Sequence, residues 1–392
     1  MIAAPINKKA RAFINGRKTV WKHLEKAPKD HVVWFHAASL GEFEQGKPVM
    51  EALKKAHPEI NLVVTFFSPS GYSVRKDYEH AFVLYLPLDT PINAKRFIST
   101  LKPKLAIFIK YEFWANYLDT LHHASIPTAV IAAQFRPNQF LFSPIGAFIK
   151  KRIARLDLIT VQYPNAKDLL LGHGFDEKKI SVCGDSRFDR VQQTVTSAQE
   201  IPELALFCGD SPLLILGSCY EQEVHFALNI IRDFPEWKVV LAPHFVDNTY
   251  VSQLEKMLPE KAIRFTDFAK YNGERFLIFN TIGKLAAAYR YGDIAVVGGG
   301  FRGGIHNTLE PAAFGLPVFF GPKHHKFPEA NAMIAVGVGF EINNTDAAGK
   351  TLKDLLTNTQ LRKTLQEKTT AFVCGNVGAT NCIIEQLKPL LS

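Results

Sequence analysis

The 392-residue sequence lacks several features that would place a chain in a familiar class. No run of about 18 apolar residues is present, which argues against a helix spanning a bilayer, and Met1 to Pro5 do not resemble an export signal. Low-complexity tracts and short-period repeats are also missing. The five cysteines are scattered, with no CxxC pair and no histidine spacing typical of zinc. This usage fits a reducing cytoplasm best.

Positive charge is abundant and unevenly placed. The net charge is +9, and residues 1–30 hold a local excess of six cations. The basic residues of this N-terminal arm are Lys8, Lys9, Arg11, Arg17, Lys18, Lys22, Lys26 and Lys29. Apolar residues such as Phe13 and Trp21 lie between them, so the arm suits an anionic membrane surface; a solvated basic helix is the alternative. No nucleic-acid-binding motif accompanies the charge, so no nucleic-acid partner is expected.

Short apolar runs alternate with amphipathic segments, the pattern of parallel sheets wrapped by helices. The predicted strands are 32–36, 61–67, 82–86, 105–109, 128–133, 158–162 and 180–184, then 213–218, 238–243, 276–280, 294–300 and 317–322. The polar interval between the two series predicts a linker. We therefore expect an α/β protein of two Rossmann-like domains with parallel sheets facing across a cleft. The predicted boundaries are the arm 1–30, a first domain 31–188, a linker 189–200, and a second domain 201–392 that includes a C-terminal helix.

The segment VVGGGFRGGIHNTLEPAAFGLPVFFGP, residues 296–322, carries the strongest sequence signal. Glycines allow a backbone to approach a ligand closely, and free amides at a helix start attract phosphate oxygens. Glu310 stands one turn into the expected helix, where a carboxylate can accept hydrogen bonds from a ribose. The segment therefore predicts a nucleotide site at the carboxyl ends of the second sheet.

Two acids follow predicted strands of the first domain. Glu42 comes where the strand 32–36 runs through a small-residue turn into a helix, and Glu112 follows the strand 105–109. Glu42 could cap the helix dipole or act as a chemical base. Glu112 could equally form a surface ion pair with Lys110.

The glycine-rich segment ending in GGIHNTLEPAAFGLPVFFGP resembles the nucleotide-sugar site of GT-B glycosyltransferases. Five further segments, in order, resemble the 3-deoxy-D-manno-octulosonic acid (Kdo) transferase family: HAASLGEFEQGKPVMEAL, TFFSPSGYSVRK, YLPLDTP, FIKYEFWANYL and CGDSRFDRV. The forms LGEFEQG and KYEFW resemble the version found in Bacteroidetes-type bacteria. The resemblance implies an enzyme that moves Kdo from CMP-Kdo to a lipid A precursor (lipid IVA) in lipopolysaccharide inner-core biosynthesis. It implies no cofactor and no bound metal.

The resemblance also implies roles for individual residues. Glu42 matches the proton acceptor, and Glu112 matches the acid that helps stabilise the transition state. Arg187 stands where many relatives have lysine and would neutralise the departing phosphate or the Kdo carboxylate. The donor-binding matches are Pro243, His244, Ile282, Gly283, Lys284, Asn307, Thr308, Leu309 and Glu310. The acceptor-binding candidates are Ser39, Gly41, Ser68, Ser70 and Gly71.

Two donor positions depart from the family pattern, because His244 replaces an arginine and Lys284 replaces the more usual glutamate. His324 and His325 are expected on a solvated polar loop. The expected location is peripheral, on the cytoplasmic face of the bacterial inner membrane, with residues 148–155 as a second basic and apolar membrane surface. A UDP-sugar donor on the same fold, or a catalytically silent membrane-surface binding protein, are the alternative functions.

Overall fold

The computed structural model describes residues 8–343 and 346–391, and in it the chain divides into two compact units. The first unit contains the residues up to Arg190 and those from Val377 onward, and the second is Val191–Asn376. Each unit has its own sheet of seven strands, all of them parallel where they pair. The predicted fold class of two α/β units with parallel sheets is confirmed.

The sheet of the first unit has the strand order β3-β2-β1-β4-β5-β6-β7. Its strands are β1 (Val32–Ala37), β2 (Asn61–Phe66), β3 (Phe82–Tyr85), β4 (Leu105–Ile109), β5 (Thr128–Ala133), β6 (Leu158–Val161) and β7 (Ile180–Val182). Because the strands are parallel, their carboxyl ends lie along one edge of the sheet, where ligands of such sheets usually bind.

Helices cover both faces of this sheet, as buried parallel strands require. They are α1 (Lys8–Lys18), α2 (Val20–Glu25), α3 (Leu40–Ala56), α4 (Pro69–Arg75), α5 (Pro91–Leu101), α6 (Ala115–His123), α7 (Ala147–Ile153), α8 (Pro164–Gly172) and α9 (Ser186–Ser197), with 3-10 turns at Phe140–Phe142 and Glu177–Lys179. Successive residues of β1 point to opposite faces, so Trp34 joins one hydrophobic core and Phe35 joins the other.

The sheet of the second unit has the order β10-β11-β9-β8-β12-β13-β14. Its strands are β8 (Leu213–Cys219), β9 (Lys238–Pro243), β10 (Ala262–Arg264), β11 (Phe276–Ile278), β12 (Ile294–Val297), β13 (Val318–Phe320) and β14 (Gly339–Glu341). The remaining helices are α10 (Pro202–Cys208), α11 (Glu221–Ile231), α12 (Asn248–Glu255), α13 (Leu285–Ala288), α14 (Leu309–Ala313), α15 (Pro328–Ala335), α16 (Ala347–Thr357), α17 (Thr359–Cys374) and α18 (Ala379–Leu391), with 3-10 turns at Phe265–Lys270 and Tyr289–Tyr291.

The units differ from the predicted domain boundaries in two places. Helix α9 runs through most of the interval expected to be a linker. Helix α18, expected in the second domain, instead buries Ile383 and Leu387 in a core of the first unit. Asp189 caps its start by accepting hydrogen bonds from the Gly378 and Thr380 amides, both at 2.6 Å. A disulfide between Cys183 and Cys382, which the scattered cysteine positions did not predict, ties α18 to the end of β7.

The described part of the basic arm packs onto the first unit. Val20 and Leu24 of α2 are buried in its core, and Trp21 packs against the same core. From α1, the Phe13 ring contacts Phe67, and the Arg17 guanidinium donates to the carbonyl of Phe67 at 2.7 Å. The apolar residues of the arm thus serve the fold. None of the helices within residues 8–343 and 346–391 has both the length and the apolar character needed to cross a membrane.

Candidate active site

Glu42 lies at the first turn of α3, at the carboxyl edge of the first sheet. Ser39 is the N-cap, with an extended backbone (φ −136°, ψ 169°), and Glu42 is the third helical residue. The Glu42 Oε2 atom accepts hydrogen bonds from the backbone N–H groups of Ala38 at 2.5 Å and Ser39 at 3.2 Å. Only 7% of Glu42 is exposed. The side chain therefore caps the helix, one of the two roles considered from the sequence.

A second carboxyl group meets Glu42. Glu112 follows β4, after Lys110 has turned the chain with a positive φ of 74°, and the carboxyl groups of Glu42 and Glu112 share a hydrogen bond. Burial raises the pKa of Glu42, while backbone amides and Lys110 oppose that rise. Burial, followed by the nearby Glu42 charge, raises the pKa of Glu112 to about 7.

The surroundings decide which acid carries the shared proton. Amides at a helix start stabilise negative charge, and two of them point at Glu42. Glu112 follows a strand and feels Glu42 as a like charge, so it is the acid that stays protonated up to near-neutral pH. Both amides donate to the Oε2 atom of Glu42 and not to its Oε1 atom.

A buried hydrogen-bond chain holds the loop that carries Glu112. Trp114, two residues later, donates its indole N–H to His36 Nε2 at 2.9 Å. Since His36 is fully buried and burial lowers its pKa to about 3, the ring is neutral and Nδ1 carries its proton. Nδ1 lies 2.8 Å from Thr65 Oγ1, which also accepts from the Trp34 indole at 2.8 Å. This chain of four side chains links β1 and β2 to the loop after β4.

Arg187, the third predicted catalytic residue, is held by a neighbouring acid. Asp185 is 2% exposed, and its Oδ2 accepts from Arg187 Nη2 at 2.6 Å and from Nε at 3.0 Å. Gln45 Nε2, one turn beyond Glu42 on α3, donates to the other oxygen of Asp185 at 3.2 Å. The Arg187 cation is therefore connected to the helix of Glu42, and Asp185 balances much of its charge.

The acceptor-binding candidates occupy turns at the same edge. Ser68 is the N-cap of α4, and its Oγ lies 2.8 Å from Ser70 Oγ. A side chain at Gly71 would collide with the ring of Phe66, so packing alone explains that glycine. At Gly41 a Cβ would meet open space. The two serine hydroxyls and the Ser39 cap are thus the polar groups that these positions supply.

In the second unit, a buried glutamate organises the glycine-rich loop. Glu223 is the third residue of α11 and is fully buried. Its two oxygens accept from the Tyr220 and Gly299 amides, each at 3.0 Å. The loop also packs on its own chain, because a Cβ at Gly300 would lie 2.5 Å from the Gly321 backbone. Backbone packing inside the unit therefore requires Gly300, and the approach of this loop to a ligand stays a prediction.

Three rings stack where β8, β9 and the glycine-rich loop meet. The His244 ring stacks on Tyr220 at 4.9 Å and on His306 at 4.6 Å between centroids. The Arg302 guanidinium lies 4.3 Å from the centre of the Tyr220 ring. Burial lowers the pKa of His244, and it lowers that of His306 to about 4, so both rings are neutral near pH 7. Of these residues, the sequence predicted only His244 and the adjacent Pro243.

The other donor-binding candidates lie at the same sheet edge. After β11, Ile282 is 82% exposed, Gly283 has a φ of 87°, and Lys284 is the N-cap of α13. The Asn307–Glu310 segment forms the start of α14. The polar side chains of this segment are arranged by Asn307. Its Oδ1 accepts from the Leu309 amide at 3.1 Å, and its Nδ2 donates to Glu310 Oε1 at 3.0 Å. Thr308 and Leu309 are fully buried.

The expectation of a solvated loop is wrong for His324, which is buried, whereas His325 is exposed as expected. His324 is 3% exposed, with Nε2 2.6 Å from Glu341 Oε2 and Nδ1 2.8 Å from Asn331 Oδ1. Its loop also fixes the glycine-rich loop, because the Lys323 ammonium donates to the carbonyl of Arg302 at 2.7 Å. Burial came from a partner strand, β14, that the sequence did not predict.

Sequence reasoning missed several residues that shape the two edges. Glu223 had a signal, since an acid three residues after a cap position before an apolar run is typical of a helix start. Asp185 and His306 stood inside quoted motifs but were not singled out. The pairing of His36 with Trp114 joins positions 78 residues apart, and no local pattern predicts such a contact.

Comparisons with known proteins agree with these features. Residues 14–190 match the family model described as 3-Deoxy-D-manno-octulosonic-acid transferase (kdotransferase). A 3-deoxy-D-manno-octulosonic acid transferase of Haemophilus influenzae is 27% identical, covering 93% of this chain and 88% of that protein. The one of Aquifex aeolicus is 28% identical, covering 83% of this chain and 86% of that protein.

The fold has counterparts among solved structures. A UDP-GlcNAc 2-epimerase from Neisseria meningitidis, solved with UDP-GlcNAc, superposes with a TM-score of 0.65 at 13% identity, covering 91% of this chain and 99% of that one. This likeness concerns the fold alone. The matching family model and the relatives that align along most of the chain make it similar in sequence to the 3-deoxy-D-manno-octulosonic acid transferases.

Proposed function

We propose that this protein transfers Kdo from CMP-Kdo to a lipid A precursor, with Glu42 as the base. The observation that carries the proposal is the pair of neighbouring acids at the carboxyl edge of the first sheet, of which Glu42 is buried and Glu112 half-buried. Paired carboxyl groups with raised pKa values are typical of sites that move protons near neutral pH. The similarity to Kdo transferases supplies the class of substrate.

In this mechanism a hydroxyl oxygen of the acceptor attacks the anomeric carbon of Kdo. The bond from that carbon to the phosphate oxygen breaks, its electron pair leaves with CMP, and the hydroxyl proton passes to Glu42. Ionised Glu112 makes Glu42 more basic and places negative charge beside the electron-poor sugar carbon. The enzyme then needs Glu112 deprotonated, so activity rises with pH through about 7.

The second unit would hold the nucleotide. The exposed His244 ring, the amides at the start of α14 and the Glu310 carboxylate offer a flat ring, hydrogen-bond donors and an acceptor at one sheet edge. These groups suit a cytosine base, a phosphate and a ribose diol respectively. Arg187, already paired with Asp185, would contribute a positive but partly neutralised field to the departing phosphate or the Kdo carboxylate.

A lipid acceptor also determines where in the cell the protein acts. We propose a peripheral protein on the cytoplasmic face of the bacterial inner membrane, since the acceptor is anionic and anchored in lipid. Exposed lysines of the arm, Lys18, Lys22 and Lys26, would attract it to an anionic surface. The serines at positions 39, 68 and 70 would bind acceptor or Kdo hydroxyls.

Purified protein incubated with lipid IVA and either CMP-Kdo or a UDP-sugar tests the proposal. CMP release and a Kdo-bearing product are expected only with CMP-Kdo, whereas transfer from the UDP-sugar would favour the alternative donor. Glu42→Gln keeps an oxygen for the Ala38 and Ser39 amides but cannot take the proton. Its kcat should fall by about a hundredfold to ten-thousandfold. A variant as fast as the parent would exclude Glu42 as the base.

A further inference from the structure

The first unit carries an exposed apolar face after β5, which we call the aromatic face: Phe140, Ile145 and Phe148. Their exposed fractions are 57%, 77% and 47%, and the rings of Phe140 and Phe148 lie 6.3 Å apart. Two of these side chains stand on the 3-10 turn 140–142 and on α7, and Ile145 lies on the turn between them. Clustered apolar side chains of this kind mark contact sites, whereas single ones are ordinary.

The charge around this face has one sign. Residues 120–156 contain no aspartate or glutamate, and their basic residues are Arg136, Lys150, Lys151, Arg152 and Arg155. Asp119 neutralises part of this charge, because Arg152 Nη2 lies 2.6 Å and Arg155 Nη1 3.6 Å from its carboxylate. Lys151 and Arg136 are exposed, and the Arg152 guanidinium lies 5.5 Å from the centre of the Phe148 ring. Apolar side chains next to cations complement an anionic bilayer surface.

The two expected membrane surfaces supply only part of this combination. In the described part of the basic arm, Val20 and Leu24 are buried and Trp21 is half-buried, so α2 exposes its lysines and packs these apolar side chains on the unit. In the segment 148–155, Ile153 is fully buried and cannot enter a membrane, whereas Phe148 is exposed. The aromatic face therefore joins Phe148 of that segment to Phe140 and Ile145, which lie outside both expected surfaces.

The face is connected to the candidate active site. Phe142 lies two residues after Phe140, and its ring centre is 6.2 Å from that of Phe135. The Phe135 ring in turn stacks on Phe113, with 6.1 Å between the ring centres. Phe113 is the neighbour of Glu112 in the chain. The arm lies in the same layer of helices, since α2, α5, α6 and α7 contact one another in that order and pack on one core. Its exposed lysines can therefore add to the attraction.

We infer that the aromatic face inserts into the surface of an anionic lipid bilayer, while lysines and arginines around it contact the headgroups. The inference rests on the proposed function in one respect, because a lipid-borne acceptor makes such docking useful. It assigns Phe140, Ile145 and Phe148, rather than the arm, as the residues that enter the membrane. Insertion beside the chain of phenylalanines would hold the Glu112 loop at the level of the headgroups.

Vesicle binding by the full chain tests this assignment. Vesicles of phosphatidylglycerol in phosphatidylcholine are compared with phosphatidylcholine alone. The variant Phe140→Ser/Ile145→Ser/Phe148→Ser should bind the anionic vesicles at least about a hundredfold more weakly. Leu206→Ser, which removes a side chain 67% exposed in the second unit, is the matched control and should bind like the parent. Unchanged binding by the triple variant, or equal loss in the control, would overturn the inference.

Activity separates this inference from the proposed function. The triple variant should lose transfer to lipid IVA held in vesicles but keep transfer to lipid IVA dispersed in detergent, since its side chains lie on the surface. If the parent transfers no Kdo to dispersed acceptor, the proposed function fails whatever the vesicles show. Sedimentation tests the remaining possibility, that a second copy of the chain binds the aromatic face. A dimer of the parent that the triple variant abolishes, with vesicle binding intact, would assign the face to a second copy of the chain instead.

Discussion

Replacing Glu112 by glutamine should make the first unit more stable at alkaline pH while slowing the reaction. In the folded protein, burial and the Glu42 charge raise the pKa of Glu112 from 4.5 to about 7. The folded state therefore binds this proton more tightly than the unfolded chain does. The resulting stabilisation is fully present below pH 4.5, declines as the pH rises, and is lost once the pH passes about 7.

The size of the effect follows from the shift. One pKa unit corresponds to about 1.4 kcal/mol, so ionised Glu112 costs the folded state about 3 kcal/mol. Glutamine has nearly the same shape and cannot ionise, and its amide can still donate to Glu42. The gain of Glu112→Gln over the parent should therefore rise from near zero at pH 4 to about 3 kcal/mol at pH 8. Its kcat should fall by about a hundredfold, because the charge beside the sugar is lost.

Urea unfolding at pH 5 and pH 8, followed by tryptophan fluorescence, measures this gain. Trp21, Trp34 and Trp114 belong to the first unit and Trp237 to the second, so the signal reports mainly on the unit that carries Glu112. A gain that is equal at the two pH values would refute the argument, because it would not come from ionisation. A variant that is stabilised at pH 8 but keeps full activity would also refute the argument, because the cost of ionising Glu112 would then contribute nothing to the reaction.

A matched control separates this effect from the general loss of one negative charge. Glu44 lies two residues after Glu42 on α3, is half-exposed, and accepts from Arg75 Nη2 at 2.5 Å. Glu44→Gln should lose a little stability at both pH values, with no gain at pH 8. If it gains as much as Glu112→Gln, the measured effect reflects overall charge and not the buried pair.

Two further changes test the surroundings of the two sites. Trp114→Phe leaves the buried His36 Nε2 without its donor, which should cost about 1–3 kcal/mol and lower kcat with little change in KM for CMP-Kdo. Unfolding and steady-state kinetics check it, and an unchanged kcat would show that the hydrogen-bond chain does not position Glu112. Gly300→Ala puts a Cβ 2.5 Å from the Gly321 backbone and should weaken CMP binding in calorimetry, whereas Gly303→Ala, with open space around it, should not. Equal binding by both variants would contradict the packing role of Gly300.

Strands made of apolar runs were predictable from sequence, whereas two short edge strands of the second sheet were not. All twelve predicted strands are present, because buried parallel strands need continuous apolar runs. The two missed strands, Ala262–Arg264 and Gly339–Glu341, are three residues long and lie at opposite edges of the second sheet. A strand with one neighbour and partial exposure needs no such run, so its sequence resembles a loop.

Contacts between distant residues explain the remaining differences. Position in the chain assigned α18 to the second unit, but Ile383, Leu387 and the Asp189 cap bind it to the first. Likewise, motifs found both Glu42 and Glu112 but not their shared proton. Local pattern identifies which residues carry chemistry, and the packing of separate strands decides which of them meet.

Glu42 and Glu223 show why helix capping and catalysis were not true alternatives. Each is the third residue of the helix after the strand with corresponding neighbours, β1 between β2 and β4, and β8 between β9 and β12. Each accepts the N–H group of its helix cap. Their second partners differ. Glu223 receives the Gly299 amide, whose proton cannot leave, so the bond only fixes a loop. Glu42 meets the carboxyl group of Glu112, whose proton can leave near pH 7. In the proposed mechanism, the same cap thus acts as a base in the unit where the neighbouring strand ends in an acid.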